Sequence, residues 1–215
     1  MRRAAVFDLD GVLVDTARLH QRAWQALAAE IGISIAADQF EQLKGVDRAA
    51  SLEIVLGEWA GRFDPTRKAE LAERKNLLYR ESIVGLGAAD LLPGADAVLA
   101  ACREHGVRIA LASSSRNAPQ IVRATGIADK LDAIVDGSAI SRAKPHPEVF
   151  LRAATLLGVR PEDCIGVEDA VAGVAAIKAA RMYAIGIGSV AALGAAGADA
   201  VIPSIAALVI DAYLQ

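Results

Sequence analysis

Asp8 and Asp10 close a short apolar run, Ala4-Ala5-Val6-Phe7, and Gly11 follows them directly. On a strand, side chains at i and i+2 point to the same face, so the two carboxylates leave a strand end together. A carboxylate can attack a phosphoryl group and carry it as an aspartyl phosphate. A second acid two residues on can pass a proton to and from the exchanging oxygens. Three further groups suit the same chemistry. Ser113-Ser114-Ser115-Arg116-Asn117 offers hydroxyls and free backbone N–H groups to an anion. Lys144, ahead of Pro145-His146-Pro147, offers a point charge. Glu168-Asp169 places two more acids after an apolar run. Singly, each has a plainer explanation as a solvated turn or a helix cap. Together, Asp8, Asp10, Glu168 and Asp169 on one edge would repel one another without a cation and Lys144. Hard oxygen ligands with room for phosphate and water suit Mg²⁺.

Periodicity indicates the elements that must position these groups. After the strand at 4–7, strands are expected at 107–112, 133–135, 164–167, 182–187 and 200–202, with helices between them. A helix over 95–105 stops at Gly106, and Gly126 and Gly158 are C-cap candidates. Such alternation means a parallel sheet covered by helices on both faces, whose carboxyl edge is where open α/β sheets hold ligands. Residues 15–85 contain no convincing strand. Asp15 or Thr16 can cap a helix whose apolar positions are Leu19, Ala23, Trp24, Leu27 and Ile31, ended by Gly32. A short helix at 39–43 and another to about Trp59 follow, and Asp64-Pro65 opens a long helix towards Ile83. The expected fold class is α/β: a Rossmann-like parallel-sheet core, residues 1–14 and 92–215, with an inserted α-helical cap, residues 15–91.

Composition narrows the function classes. The 215 residues are 54% hydrophobic, enough for a sizeable core, and the net charge is −3 with both signs interspersed. That balance argues against nucleic acid or an anionic membrane as the main partner. Cys102 and Cys164 lie far apart, form no ligand motif and read as reduced core residues of a cytoplasmic protein. Asp8 and Asp10 interrupt any apolar segment after Met1-Arg2-Arg3, so the start does not read as a signal peptide. No uninterrupted apolar run reaches membrane-spanning length.

The core motifs Asp8-Leu9-Asp10-Gly11-Val12, Ser113, Lys144 and Glu168-Asp169 resemble, in order, those of the haloacid dehalogenase superfamily of phosphotransferases, with its small α-helical cap. Nearly the whole chain resembles the β-phosphoglucomutase family more narrowly, through Asp15-Thr16-Ala17, His20, Arg22-Ala23-Trp24, Gln42-Leu43-Lys44-Gly45-Val46, Arg48, Arg74-Lys75-Asn76, Ile109-Ala110-Leu111-Ala112-Ser113, Ser115 and Asn117. The resemblance implies Asp8 as nucleophile and Asp10 as general acid–base. It implies Mg²⁺ held by the side chains of Asp8 and Asp169 and the backbone carbonyl of Asp10, supported by Glu168. Ser113 and Lys144 would hold the transferring phosphoryl group. Arg48 from the cap, with Ser115, Arg116 and Asn117, would hold a second phosphate. His20, Trp24, Leu43, Lys44 and Gly45 would line the cap side, with Thr16 at the hinge. The implied partners are small sugar phosphates and the implied protein is a monomer. β-D-Glucose 1,6-bisphosphate would be both phosphorylating activator and intermediate.

Three activities remain: a mutase; a sugar-phosphate phosphatase, which would share every core residue but leave the second phosphate site without a use; and a phospho-accepting receiver module, which also uses acids, a lysine and Mg²⁺ on a parallel sheet. The helical insert and Glu168-Asp169 argue against the last. Two positions depart from the family pattern. Arg116 stands where lysine is expected, and Asp47, beside Arg48, stands where a neutral serine is expected. Without the resemblance, Trp24 reads as core, His20 as surface and Arg48 as a solvated charge, while Trp59, Tyr79 and His105 read as structural. A cis peptide is expected at Lys144-Pro145.

Overall fold

The computed structural model describes residues 1–43 and 46–215. Six strands form one parallel sheet, in the spatial order β3-β2-β1-β4-β5-β6. They are β1 (Ala4–Phe7), β2 (Arg108–Ala112), β3 (Ala133–Val135), β4 (Cys164–Glu168), β5 (Tyr183–Ile187) and β6 (Ala200–Ile202). β1 lies between β2 and β4, with Val6 opposite Ala110 on one side and Gly166 on the other. Its apolar run is unbroken because both faces are covered. Ala5 and Phe7 enter one hydrophobic cluster, with Leu99, Ile109 and Ile185, while Ala4 and Val6 enter the opposite one, with Phe150, Val174 and Ile177. The chain first runs from β1 to β2 and β3, then crosses back to β4 on the other side of β1. The sheet's direction of winding therefore switches between β1 and β4, where ligands bind outside the carboxyl ends in such sheets. Asp8 and Glu168 end these two strands.

The insert after β1 is helical, as expected: α1 (Ala17–Glu30), α2 (Ala37–Gln42), α3 (Arg48–Leu56) and α4 (Pro65–Ile83). Beyond Leu56 the helix tightens into a 3₁₀ segment, Gly57–Arg62, so α3 itself stops short of Trp59. Asp64 caps α4 by accepting from Arg67 N–H, with Pro65 in the first turn. The insert has its own apolar centre of Trp24, Leu27, Leu52, Val55, Leu56 and Leu71. Its two connections to the sheet run side by side. Val14 bridges Leu91, Asp15 N–H donates to Asp90 O at 3.0 Å, and Leu92 N–H donates to Leu13 O at 2.9 Å. The remaining helices flank the sheet: α5 (Ala95–Glu104), α6 (Ala118–Ala124), α7 (Glu148–Leu157), α8 (Val171–Ala179) and α9 (Val190–Ala195). Among the described residues no helix is long and apolar enough to cross a membrane.

Candidate active site

Asp8 extends the β1 ladder by one bond, its N–H donating to Val167 O at 3.0 Å. Asp10 N–H then donates to Asp8 Oδ2 at 3.0 Å. Gly11 turns the chain at φ 80°, and a Cβ built there would lie 2.3 Å from Asp169 Oδ2. Both conformation and space require glycine at this turn. From the loop between β3 and α7, Lys144 Nζ donates to Asp8 Oδ1 at 2.5 Å and to Glu168 Oε2 at 2.8 Å, all three side chains being buried. The Lys144–Pro145 peptide is cis, as expected.

Glu168 rather than Asp169 binds the turn that leads into α8. Its Oε1 accepts from the N–H groups of Asp169 and Ala170, and Ala170 occupies the cap position, so Asp169 is not the helix cap that its place in the sequence allowed. Burial raises the pKa of Asp8, and Asp10 adds to the rise, while Lys144 opposes it. Glu168 is likewise raised, by burial and by Asp8. Burial opposes the charge of Lys144, but Asp8 and Glu168 outweigh it and raise its pKa. One carboxylate oxygen from each of Asp8, Glu168 and Asp169 lies within 4.8 Å of the others. An all-oxygen donor set of this charge fits Mg²⁺.

Asp10 belongs to a second group. Thr16 Oγ1 donates to its Oδ1, and His20 Nε2 lies 3.7 Å from the same atom. Burial pushes the Asp10 carboxyl upward, but His20 and Thr16 overcome this and hold it below its ordinary value. Thr16 does stand at the N-cap of α1, yet makes no side-chain cap bond; its hydroxyl is directed to Asp10 instead. His20 Nδ1 meets Lys75 Nζ at 2.8 Å, and its ring stacks on Tyr79 at 4.0 Å between centroids. Lys75 Nζ also sits over the rings of Trp24 and Tyr79, at 4.9 and 4.8 Å. Burial, then the charge of Arg48, brings the Lys75 pKa down to about 7.

The turn after β2 is less open than the sequence suggests. Ser115 N–H donates to Ser113 Oγ at 3.1 Å and Asn117 N–H to Ser115 Oγ at 3.2 Å, so these two amides are already paired. Asn117 Nδ2 reaches across to Asn76 Oδ1 on α4 at 3.1 Å. On α3, Arg48 Nη1 donates to Glu73 Oε2 at 3.0 Å. Asp47 is an N-cap: its Oδ1 accepts from Ala49 and Ala50 N–H, which accounts for an acid beside Arg48.

A cleft of about 810 Å³ joins these groups between the insert and the carboxyl edge of the sheet. Asp8, Asp10 and Asp169 line it from the first loop and β4; Ser115, Arg116 and Asn117 from the turn after β2; His20, Trp24, Leu43 and Arg48 from the insert. Thr16, Ser113, Lys144 and Glu168 are buried behind that wall, in contact with or next to residues that line it. Lys44 and Gly45 lie outside the described residues. Trp24 serves both its readings, packed in the insert's apolar centre and lining the cleft. His20 is drawn into the site rather than left on the surface, and Tyr79, expected to be purely structural, lines the cleft beside it. Lys75 and Asn76, part of the Arg74-Lys75-Asn76 motif that carries the resemblance but without an assigned role, line it too, as does Glu73, for which no role is expected from sequence. A signal for Lys75 existed: Leu71, Lys75, Tyr79 and Ile83 recur every four residues and are the buried seam of α4. A lysine in an apolar seam is rare without a partner.

A sequence model of the haloacid dehalogenase-like hydrolase family matches residues 2–181. The chain is 45% identical over 188 residues to β-phosphoglucomutase of Bacillus subtilis, covering 86% of this chain and 83% of that protein. It is 34% identical over 187 residues to hexitol phosphatase B of Escherichia coli, covering 85% and 82%. A crystal structure of β-phosphoglucomutase from Clostridium difficile superposes with a TM-score of 0.92 at 39% identity, covering 99% of this chain and 95% of that one. The chain thus belongs to the haloacid dehalogenase-like hydrolase family of enzymes, with β-phosphoglucomutases among its relatives.

Proposed function

We propose that this enzyme interconverts β-D-glucose 1-phosphate and β-D-glucose 6-phosphate through β-D-glucose 1,6-bisphosphate. One observation carries the proposal. The cleft that holds Asp8 and Asp10 also holds a second cationic group, Arg48 from the insert facing Arg116 from the core, near enough for the charge of Arg116 to lower the pKa of Arg48 beside the larger effect of burial. Two anion sites in one cleft let a bisphosphate bind in either orientation, and Arg48 suits bidentate phosphate recognition.

Asp8 would attack phosphorus, and the bond from phosphorus to the sugar oxygen would break. Asp10, carrying the proton it takes from the acceptor hydroxyl in the other half of the cycle, would give it to that oxygen. In the second half the acceptor hydroxyl would return a proton to Asp10 as its oxygen takes the phosphoryl group from Asp8. Lys144 and Ser113 would hold the transferring group. Asp8, Asp169 and the Asp10 carbonyl, with Glu168 beside them, would hold Mg²⁺, which supplies charge neutralisation between the carboxylate and the phosphoryl oxygens. Thr16, at the paired connections between residues 1–14 and 92–215 on one side and 15–91 on the other, would serve as hinge for closure. Closure excludes water, which matters because water competes with the sugar hydroxyl for phospho-Asp8.

Similarity to a hexitol phosphatase at 34% identity favours a second reading, hydrolysis of a small sugar phosphate by the same core residues. One experiment separates them: β-D-glucose 1-phosphate, Mg²⁺ and a trace of the bisphosphate, with glucose 6-phosphate followed through a dehydrogenase and free phosphate recorded in parallel. The expected result is glucose 6-phosphate far in excess of phosphate, abolished by Asp10→Asn. Phosphate in step with substrate loss would make the enzyme a phosphatase. A stably labelled aspartate with neither product would leave a receiver module.

A further inference from the structure

The charges facing the cleft from the insert are unbalanced in sign. Arg48 and Lys75 project into it from α3 and α4, and Arg116 faces them from the core. After the effect of burial, Arg48 weakens the hold of Lys75 on its proton, and Arg116 does the same to Arg48 against the opposing charge of Glu73. Two carboxylates of the insert line the cleft: Asp47, whose Oδ1 is committed to the first amides of α3, and Glu73, which answers the cations directly. Glu73 lines the same cleft, accepts from Arg48 Nη1 at 3.0 Å through Oε2, and accepts from Asn76 Nδ2 at 3.2 Å through Oε1. Asn76 in turn accepts from Asn117 of the core. The Glu73 side chain is 59% exposed, against 26% for Arg48, so the carboxylate can be released to water while the guanidinium stays in the wall.

We propose that Glu73 is a placeholder anion, holding Arg48 until a substrate phosphate displaces it, and thereby sets the affinity of the second phosphate site. The proposal rests on Arg48 being that site. A dianionic phosphate matches the guanidinium better than a single carboxylate does, and once it is bound, Glu73 is left facing like charge. In the resting cleft Glu73 is attractive to Arg48; in the occupied cleft it is repulsive to the ligand. Both effects lower the net affinity for phosphate. The enzyme thus holds its second site weakly, which suits an intermediate that must leave, turn over and bind again.

The test is a calorimetric titration of the Mg²⁺-loaded protein with inorganic phosphate, comparing wild type, Glu73→Gln and Arg48→Ala. Glu70→Gln serves as control, since Glu70 pairs with Arg67 outside the cleft. The binding component missing from Arg48→Ala is the Arg48 site. Glu73→Gln is expected to tighten that component by about two- to fivefold, the range that an exposed ion pair supports, with Glu70→Gln unchanged. The same variant is expected to lower KM for β-D-glucose 1-phosphate with little gain in kcat. Equal affinity in wild type and Glu73→Gln, or weaker affinity in the variant, overturns the proposal; weaker binding would make Glu73 a support for Arg48. An isotherm unchanged in Arg48→Ala fails differently, because it removes Arg48 from phosphate binding altogether.

Discussion

The two walls of the cleft are built on different physical terms. On the core side, Asp8, Lys144 and Glu168 are buried and bonded to one another, and strand ends and backbone amides fix each carboxylate. On the insert side, Arg48 and Glu73 are partly exposed, and they are held to each other by side chains on two helices. Burial makes the core charges costly unless each is paired, so that wall is rigid and ready before substrate arrives. Exposure leaves the insert charges cheap to rearrange, which the proposed turning of a bisphosphate would require. Under the proposed function, bond exchange falls to the buried, mutually paired wall and recognition to the more exposed one.

That contrast can be broken from the rigid side first. A Cβ at position 173 on α8 would lie 1.9 Å from Glu168 Oε2, so Gly173→Ala must displace the carboxylate that holds Lys144. A misplacement of this kind costs on the order of a hundredfold in kcat. Full activity in the variant, with the melting temperature unchanged, would show that the core wall is softer than its burial implies.

Arg48→Ala tests the adaptable wall. Loss of a charged hydrogen bond is expected to raise KM by about tenfold, with kcat changed much less. A kcat loss equal to that of Gly173→Ala would erase the division of labour between the walls.

Lys75 is the exception on the insert side, being 3% exposed. Its pKa falls from the ordinary 10.5 to about 7, through burial first. Below pH 7 the lysine is charged both folded and unfolded, and the fold carries the full cost of burying it. Between about 7 and 10.5 the unfolded chain still binds the proton that the folded chain has released, so this contribution to stability rises with pH. Urea unfolding should therefore show Lys75→Met more stable than wild type near pH 7, with the gap closing towards the upper end of that window. A gap independent of pH would mean that Lys75 keeps its proton in the fold throughout.

The smallest effect concerns Asp47. Asp47 lines the cleft, but its Oδ1 is committed to the Ala49 and Ala50 amides, so Asp47→Ala should cost about 1 kcal/mol of stability. KM should stay within about twofold of wild type, because a capping bond carries no ligand contact. Tighter substrate binding in this variant would place the acid in the phosphate site after all.

Much of this was legible in the chain itself. The strand ending in Asp8, the pairing of Asp8 with Asp10, the second acid pair at Glu168-Asp169 and the helical insert all follow from spacing, because a strand's period of two and a helix's period of 3.6 are local properties. The sheet order explains why the acids meet, but alternation of strands and helices already required one parallel sheet with a common carboxyl edge. The sequence could not decide which hydroxyl, amide and carboxylate would choose one another. Thr16 could cap α1 or bond Asp10; Asp169 could cap α8 or leave the turn before it to Glu168; Asp47 could face the ligand or its own helix. In each case the local alternatives have similar energy, and the choice falls to partners far away in sequence. Lys75, Tyr79 and Glu73 show the same limit from the other direction. Their roles depend on α4 packing against α1 and beside α3, which places Lys75 on His20, Tyr79 against its ring and Glu73 on Arg48, and only the folded chain brings those helices together.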